Sequence, residues 1–122
     1  MARILLAEDD DSMRDFLAKA LSRAGHEVEA VADGEDGLDV LGEMPGQFEL
    51  LLTDIVMPGV DGIELARRAA EIDPGLKIMF ITGFAAVALN AGASAPKDAK
   101  VLSKPFHLRD LVDEVAKVMD AA

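Results

Sequence analysis

Apolar residues along the 122-residue chain follow two spacings in turn. Short apolar stretches recur at Ile4 to Ala7, Val28 to Val31, Leu50 to Leu52, Ile78 to Ile81 and Val101 to Leu102. Their length and density suit strands of a parallel sheet covered on both faces. Helical spacing fills the intervals. Met13, Phe16, Leu17, Ala20, Leu21 and Ala24 fall on one stripe of period 3.6, with Asp11 or Ser12 to cap it and Gly25 to end it. Leu108, Leu111, Val112, Val115, Val118 and Met119 repeat that pattern near the end of the chain. A further helix is predicted from Gly62 to Ile72, closed by the turn Asp73-Pro74-Gly75. A weaker one spans about Gly34 to Glu43, where Gly37 and Gly42 each lower helix propensity. Between Thr82 and Lys104 only Ala85 to Asn90 reads as helix before Gly92, Ser94 and Pro96, so the fourth helix is expected to be short.

Strands alternating with helices of this length make βα units, and hence a parallel sheet with helices on both faces. The fold expected is an α/β, (βα)5 doubly wound sheet. Right-handed crossovers favour the flavodoxin-like strand order 2-1-3-4-5. The length suits one domain over 1–122, with no effector domain.

Composition narrows the function. The absence of cysteine excludes disulfides, thiolate metal sites and cysteine nucleophiles, and only His26 and His107 remain as soft ligands. A net charge of −11 argues against a nucleic-acid footprint, which needs clustered Lys and Arg. No stretch is apolar enough for a signal peptide or a membrane span, so a cytoplasmic protein is expected.

In such a sheet the carboxyl ends of the strands share one edge, where ligands bind. The residues at those ends are Glu8 and Asp9 after the first stretch, Asp54 after the third, Thr82 after the fourth and Lys104 after the fifth. Two like charges about 5 Å apart repel by roughly 3 kcal/mol at an effective dielectric near 20. Three acids with one lysine therefore call for raised pKa values or a bound cation, and hard oxygen ligands suit Mg²⁺. A carboxylate beside Mg²⁺ can attack phosphorus to give an aspartyl phosphate. The Lys104 ammonium and the Thr82 hydroxyl would neutralise the phosphoryl oxygens. Asp54 is central by position and is assigned as the nucleophile. Each residue alone has an ordinary structural explanation. Together, in this order, they do not.

The elements "ILLAEDD", "LLTDIVMPGVDG", "FITG" and "LSKPF" resemble the signatures of the response-regulator receiver domain, and their spacing covers the chain. The resemblance implies phosphorylation of Asp54 by a histidine kinase or histidine phosphotransfer protein. It implies Mg²⁺ held by Asp9, Asp54 and the Val56 backbone carbonyl, with Glu8 acting largely through water. Catalysis beyond weak autophosphorylation and autodephosphorylation is not implied. One departure stands out: receivers usually carry Tyr or Phe three residues before the lysine, and this chain has Val101. Within the family the chain most resembles the CpdR-like single-domain regulators of alphaproteobacteria. That likeness implies an adaptor engaging the ClpXP protease, regulated by phosphorylation. The alternative within the family is a phosphorelay intermediate or phosphate sink.

Two readings from other classes fit less well. A phosphatase of the haloacid dehalogenase type needs a second acid two residues after the nucleophile, where Val56 stands. A flavodoxin-like mononucleotide binder needs hydroxyls and glycines in the first loop, where Glu8 to Asp11 would repel phosphate.

Overall fold

The structure is a computed structural model that describes residues 2–82, 100–103 and 107–120. Five parallel strands, β1 (Arg3–Ala7), β2 (Glu27–Val31), β3 (Leu50–Asp54), β4 (Lys77–Thr82) and β5 (Lys100–Ser103), form one sheet in the order β2-β1-β3-β4-β5. The helices described are α1 (Asp11–Arg23), α2 (Gly34–Glu43), α3 (Gly62–Ile72) and α4 (Leu108–Asp120). The strand order agrees with the expected flavodoxin-like arrangement. The short helix expected from Ala85 to Asn90 lies outside the described residues.

Strand pleating sends alternate residues to opposite faces, and two cores result. On one face Leu5, Ala7, Leu51, Ile78 and Phe80 pack with Leu41 of α2 and Leu65, Ala66 and Ala69 of α3. On the other, Ile4, Leu6, Leu50, Leu52, Met79 and Ile81 pack with Leu17 and Leu21 of α1 and Leu111, Val115 and Val118 of α4. Every residue of β3 is buried, as its central place requires. The edge strand β2 is largely exposed and carries Glu27 and Glu29, charges that discourage edge-to-edge pairing.

The boundaries of α2 and α3 are those expected from sequence. The first helix differs in two respects. Its cap is Asp10, whose carboxylate accepts the Met13 amide at 2.9 Å, and not Asp11 or Ser12. Four consecutive acids left that choice open to sequence reasoning. Its buried stripe is also narrower than predicted: Leu17, Ala20 and Leu21 are buried, whereas Phe16 is 53% exposed. A helix lying on a sheet buries a limited arc, and Phe16 falls beyond it. Gly25 adopts φ +99° just after α1, the left-handed conformation that ends helices.

Candidate functional site

The register of the sheet brings the acids together. Ala7 of β1 lies abreast of Thr53 of β3, so the next residues, Glu8 and Asp54, leave the sheet side by side on its carboxyl edge. Adjacent strands are about 4.8 Å apart, which sets the scale of the site. Carboxylate oxygens of Glu8, Asp9 and Asp54 all lie within 4.8 Å of one another. Glu8 is fully buried and Asp54 only 8% exposed, while Asp9 faces solvent. The cluster thus sets two buried carboxylates beside one that faces solvent. Carboxylates at this spacing, open to water on one side, suit a hard divalent cation.

Local bonds fix each acid. The Glu8 amide donates to the Val31 carbonyl of β2 at 3.1 Å. Its carboxylate accepts the Asp10 amide at 3.2 Å, and its carbonyl accepts from the Arg14 guanidinium at 3.0 Å. Arg14 also holds Asp11 at 2.5 Å, so one side chain ties the acidic loop to the first turn of α1. Arg14 had no role in the sequence reading. A basic residue one turn into a helix led by four acids is the signal that points to it.

Asp54 ends β3, with the Thr53 hydroxyl donating to its carbonyl at 2.9 Å. The following loop folds back at once: the Gly62 amide donates to the Ile55 carbonyl at 2.8 Å, and Gly59 takes φ +73° at the turn. Met57 is buried in the core below, whereas Val56 is 49% exposed at the rim. Asp61 caps α3 by accepting the Glu64 amide at 2.8 Å. On the exposed flank of α3, hydrogen bonding to Arg67 is the main cause that lowers the Glu64 pKa, with Arg68 adding to it.

The remaining predicted site residues are placed in part. Thr82 ends β4, one residue beyond the Ile81 that pairs with Asp54. β5 ends at Ser103, immediately before Lys104, and Lys104 itself lies outside the described residues. Among the described residues, no helix is long and apolar enough to cross a membrane.

Comparison with known proteins agrees with this geometry. Residues 4–116 match the response regulator receiver domain. The chain is 67% identical to the response regulator receiver protein CpdR of Brucella abortus, across all of both chains. A response regulator receiver protein from Sinorhizobium medicae superposes with a TM-score of 0.89 at 32% identity, over 98% of this chain and 95% of that one. The response regulator TrrA of Thermotoga maritima, solved in complex with Mg²⁺ and BeF, gives 0.84 at 28% identity over 97% and 99%. The chain therefore belongs to the response regulator receiver domain family of two-component signalling systems.

Proposed function

We propose that this protein is a phosphoacceptor switch in which Asp54 is the acceptor. The observation that carries the reading is the convergence of Glu8, Asp9 and the buried Asp54 on one sheet edge within 4.8 Å. In the phosphorylation step an Asp54 carboxylate oxygen attacks the phosphorus of a phosphohistidine. The new O–P bond gives an aspartyl phosphate as the N–P bond breaks and the imidazole leaves. Burial and its place at the end of a central strand hold the Asp54 carboxylate in one position at the sheet edge, ready for attack. Asp9, Asp54 and the Val56 carbonyl are the ligands proposed for Mg²⁺, with Glu8 acting through water. When bound, the ion neutralises charge on the phosphoryl oxygens. That TrrA was solved with Mg²⁺ and BeF supports this assignment. Thr82 and Lys104 are assigned to the phosphoryl oxygens, as the receiver pattern implies. The chain is a phosphoacceptor with weak self-catalysed turnover and not an enzyme acting on a separate substrate.

The output proposed is phosphorylation-dependent protein binding, as an adaptor controlling ClpXP proteolysis. Its support is the full-length likeness to CpdR. The test is titration against a ClpX amino-terminal domain, with and without Mg²⁺ and beryllofluoride, with Asp54→Ala as control. Binding that depends on beryllofluoride only when Asp54 is present supports the adaptor. Phosphate exchange with a histidine phosphotransfer protein, with no ClpX binding by either form, would make the chain a relay or sink.

A further inference from the structure

The short β2–α2 connection touches both halves of the acid cluster. At its start, the Val31 carbonyl accepts the Glu8 amide at 3.1 Å and fixes where the first acidic loop leaves the sheet. Three residues later, the buried Gly34 faces Val60 in the loop that follows Asp54. A Cβ built on Gly34 would lie 2.3 Å from the Val60 carbonyl oxygen and 2.9 Å from Val60 Cβ and Cγ1. Contacts of that kind do not fall below 3.0 Å, and the clashing oxygen belongs to backbone, so backbone must shift, either at the start of α2 or in the loop itself.

That loop has little freedom to absorb the shift elsewhere. Its far end is closed by the Gly62 amide on the Ile55 carbonyl, and Met57 is anchored in the core. Val60 lies in the segment 55–61 that follows Asp54 and carries Val56, so retreat at Val60 strains the short run back through Met57 to Asp54. One turn thus contacts both the Glu8 backbone and the loop after Asp54, across the edge whose spacing the β1–β3 register sets.

We infer that Gly34 is a positioning residue for the phosphoacceptor site: the side chain it lacks lets the Asp54 loop close to its proper distance from Glu8 and Asp9. The inference rests on the reading of that cluster as a Mg²⁺ and phosphoacceptor site. Gly42 supplies the control, being in the same helix with nothing within 4 Å of a built Cβ.

The test is calorimetric titration of the whole chain with Mg²⁺, paired with the rate of phosphorylation by acetyl phosphate across Mg²⁺ concentrations. Gly34→Ala is expected to weaken Mg²⁺ binding about tenfold, the scale of outer-shell changes at metal sites. It should raise the Mg²⁺ needed for half-maximal phosphorylation by a similar factor, with a smaller effect on the saturated rate. Gly42→Ala should leave both at the wild-type value. Unchanged Mg²⁺ affinity in Gly34→Ala, even with a lowered urea midpoint, would overturn the inference and make the glycine merely structural. Where Gly34→Ala is too unstable at room temperature, the same titrations run cold in trimethylamine oxide read its folded form, and unchanged affinity there overturns the inference equally. Asp9→Asn separates the two claims. If that variant binds Mg²⁺ as tightly as wild type, the reading of the cluster falls and this inference falls with it.

Discussion

Gly62 stands so close over Asp54 that a methyl group on its Cα would come within 1.9 Å of the Asp54 carbonyl oxygen. The first residue of α3 is thereby seated on the end of β3, and the loop between them is closed by the Gly62 to Ile55 hydrogen bond. Gly62→Ala must push helix and strand apart. We expect a loss of about 2–3 kcal/mol in urea denaturation, the scale of overpacking a well-filled site. Phosphorylation of Asp54 by acetyl phosphate should fall with it. An unchanged urea midpoint would show that the two elements are not locked together here.

Asp9 adds a third negative charge at the rim of the cluster, facing solvent. In EDTA, Asp9→Asn should be more stable than wild type by about 0.5–1 kcal/mol, the relief of one partly screened repulsion. With Mg²⁺ at about a hundred times its Kd, wild type should gain about 2.7 kcal/mol by binding. The variant should gain far less at the same concentration. Thermal melts with and without the ion read both effects, and equal Mg²⁺ gains would remove Asp9 from the ligand set.

His26 sits at the opposite edge of the sheet, where its Nδ1 accepts the Ala2 amide at 3.0 Å. Only the neutral ring can accept there. Burial is the main cause that lowers its pKa, the amino terminus adds to this, and Glu49 opposes it. With the folded pKa below the unfolded value of about 6.5, the unfolded chain takes up the proton first. The contribution of His26 is therefore complete above that value and is lost as pH falls through it. Urea midpoints should decline from pH 7 to 5 more steeply in wild type than in His26→Gln, and identical slopes would exclude the effect.

Two glycines of α2 should respond unequally. A Cβ at Gly42 meets nothing within 4 Å, so Gly42→Ala should stabilise by up to about 1 kcal/mol through helix propensity. A Cβ at Gly37 would lie 3.3 Å from Leu65 Cδ1, in the tight contact between α2 and α3. Gly37→Ala should gain less than Gly42→Ala or destabilise. Chemical denaturation of both variants, with equal shifts, would contradict that packing.

Lys77, at the start of β4, donates to the carbonyls of Val118 and Met119 at 3.0 and 2.9 Å. It satisfies two of the acceptors that the end of α4 leaves without helical partners. Lys77→Met should cost about 1–2 kcal/mol and quicken amide exchange in the last turn of α4. Exchange at the wild-type rate would show that the helix end needs no such cap.

Much of this molecule was legible in local pattern. The central strands lie where the apolar stretches do, because a strand covered on both faces must be apolar throughout, as Leu50 to Leu52 are. The limits of α2 and α3 could be read from Gly34, Gly62 and the Asp73-Pro74-Gly75 turn, since helix ends are governed by nearby residues. Glu8, Asp9 and Asp54 were identifiable as one group because parallel connectivity sends every strand end to the same edge.

Tertiary structure alone decided matters of close approach. The exposure of Phe16 depends on how wide an arc of α1 meets the sheet and α4, which the helical period does not contain. Arg14 reaches the Glu8 carbonyl only once the loop between them has turned. Gly37 read as a weakness in α2, yet a Cβ there would press on Leu65 at 3.3 Å. Gly34 and Gly62 are defined by backbone atoms of Val60 and Asp54, distant or unpredictable neighbours in the chain. Sequence pattern records which face a residue occupies, because burial favours apolar side chains at a local period. It does not record which backbone will press against that face, because that depends on how separate elements pack in three dimensions.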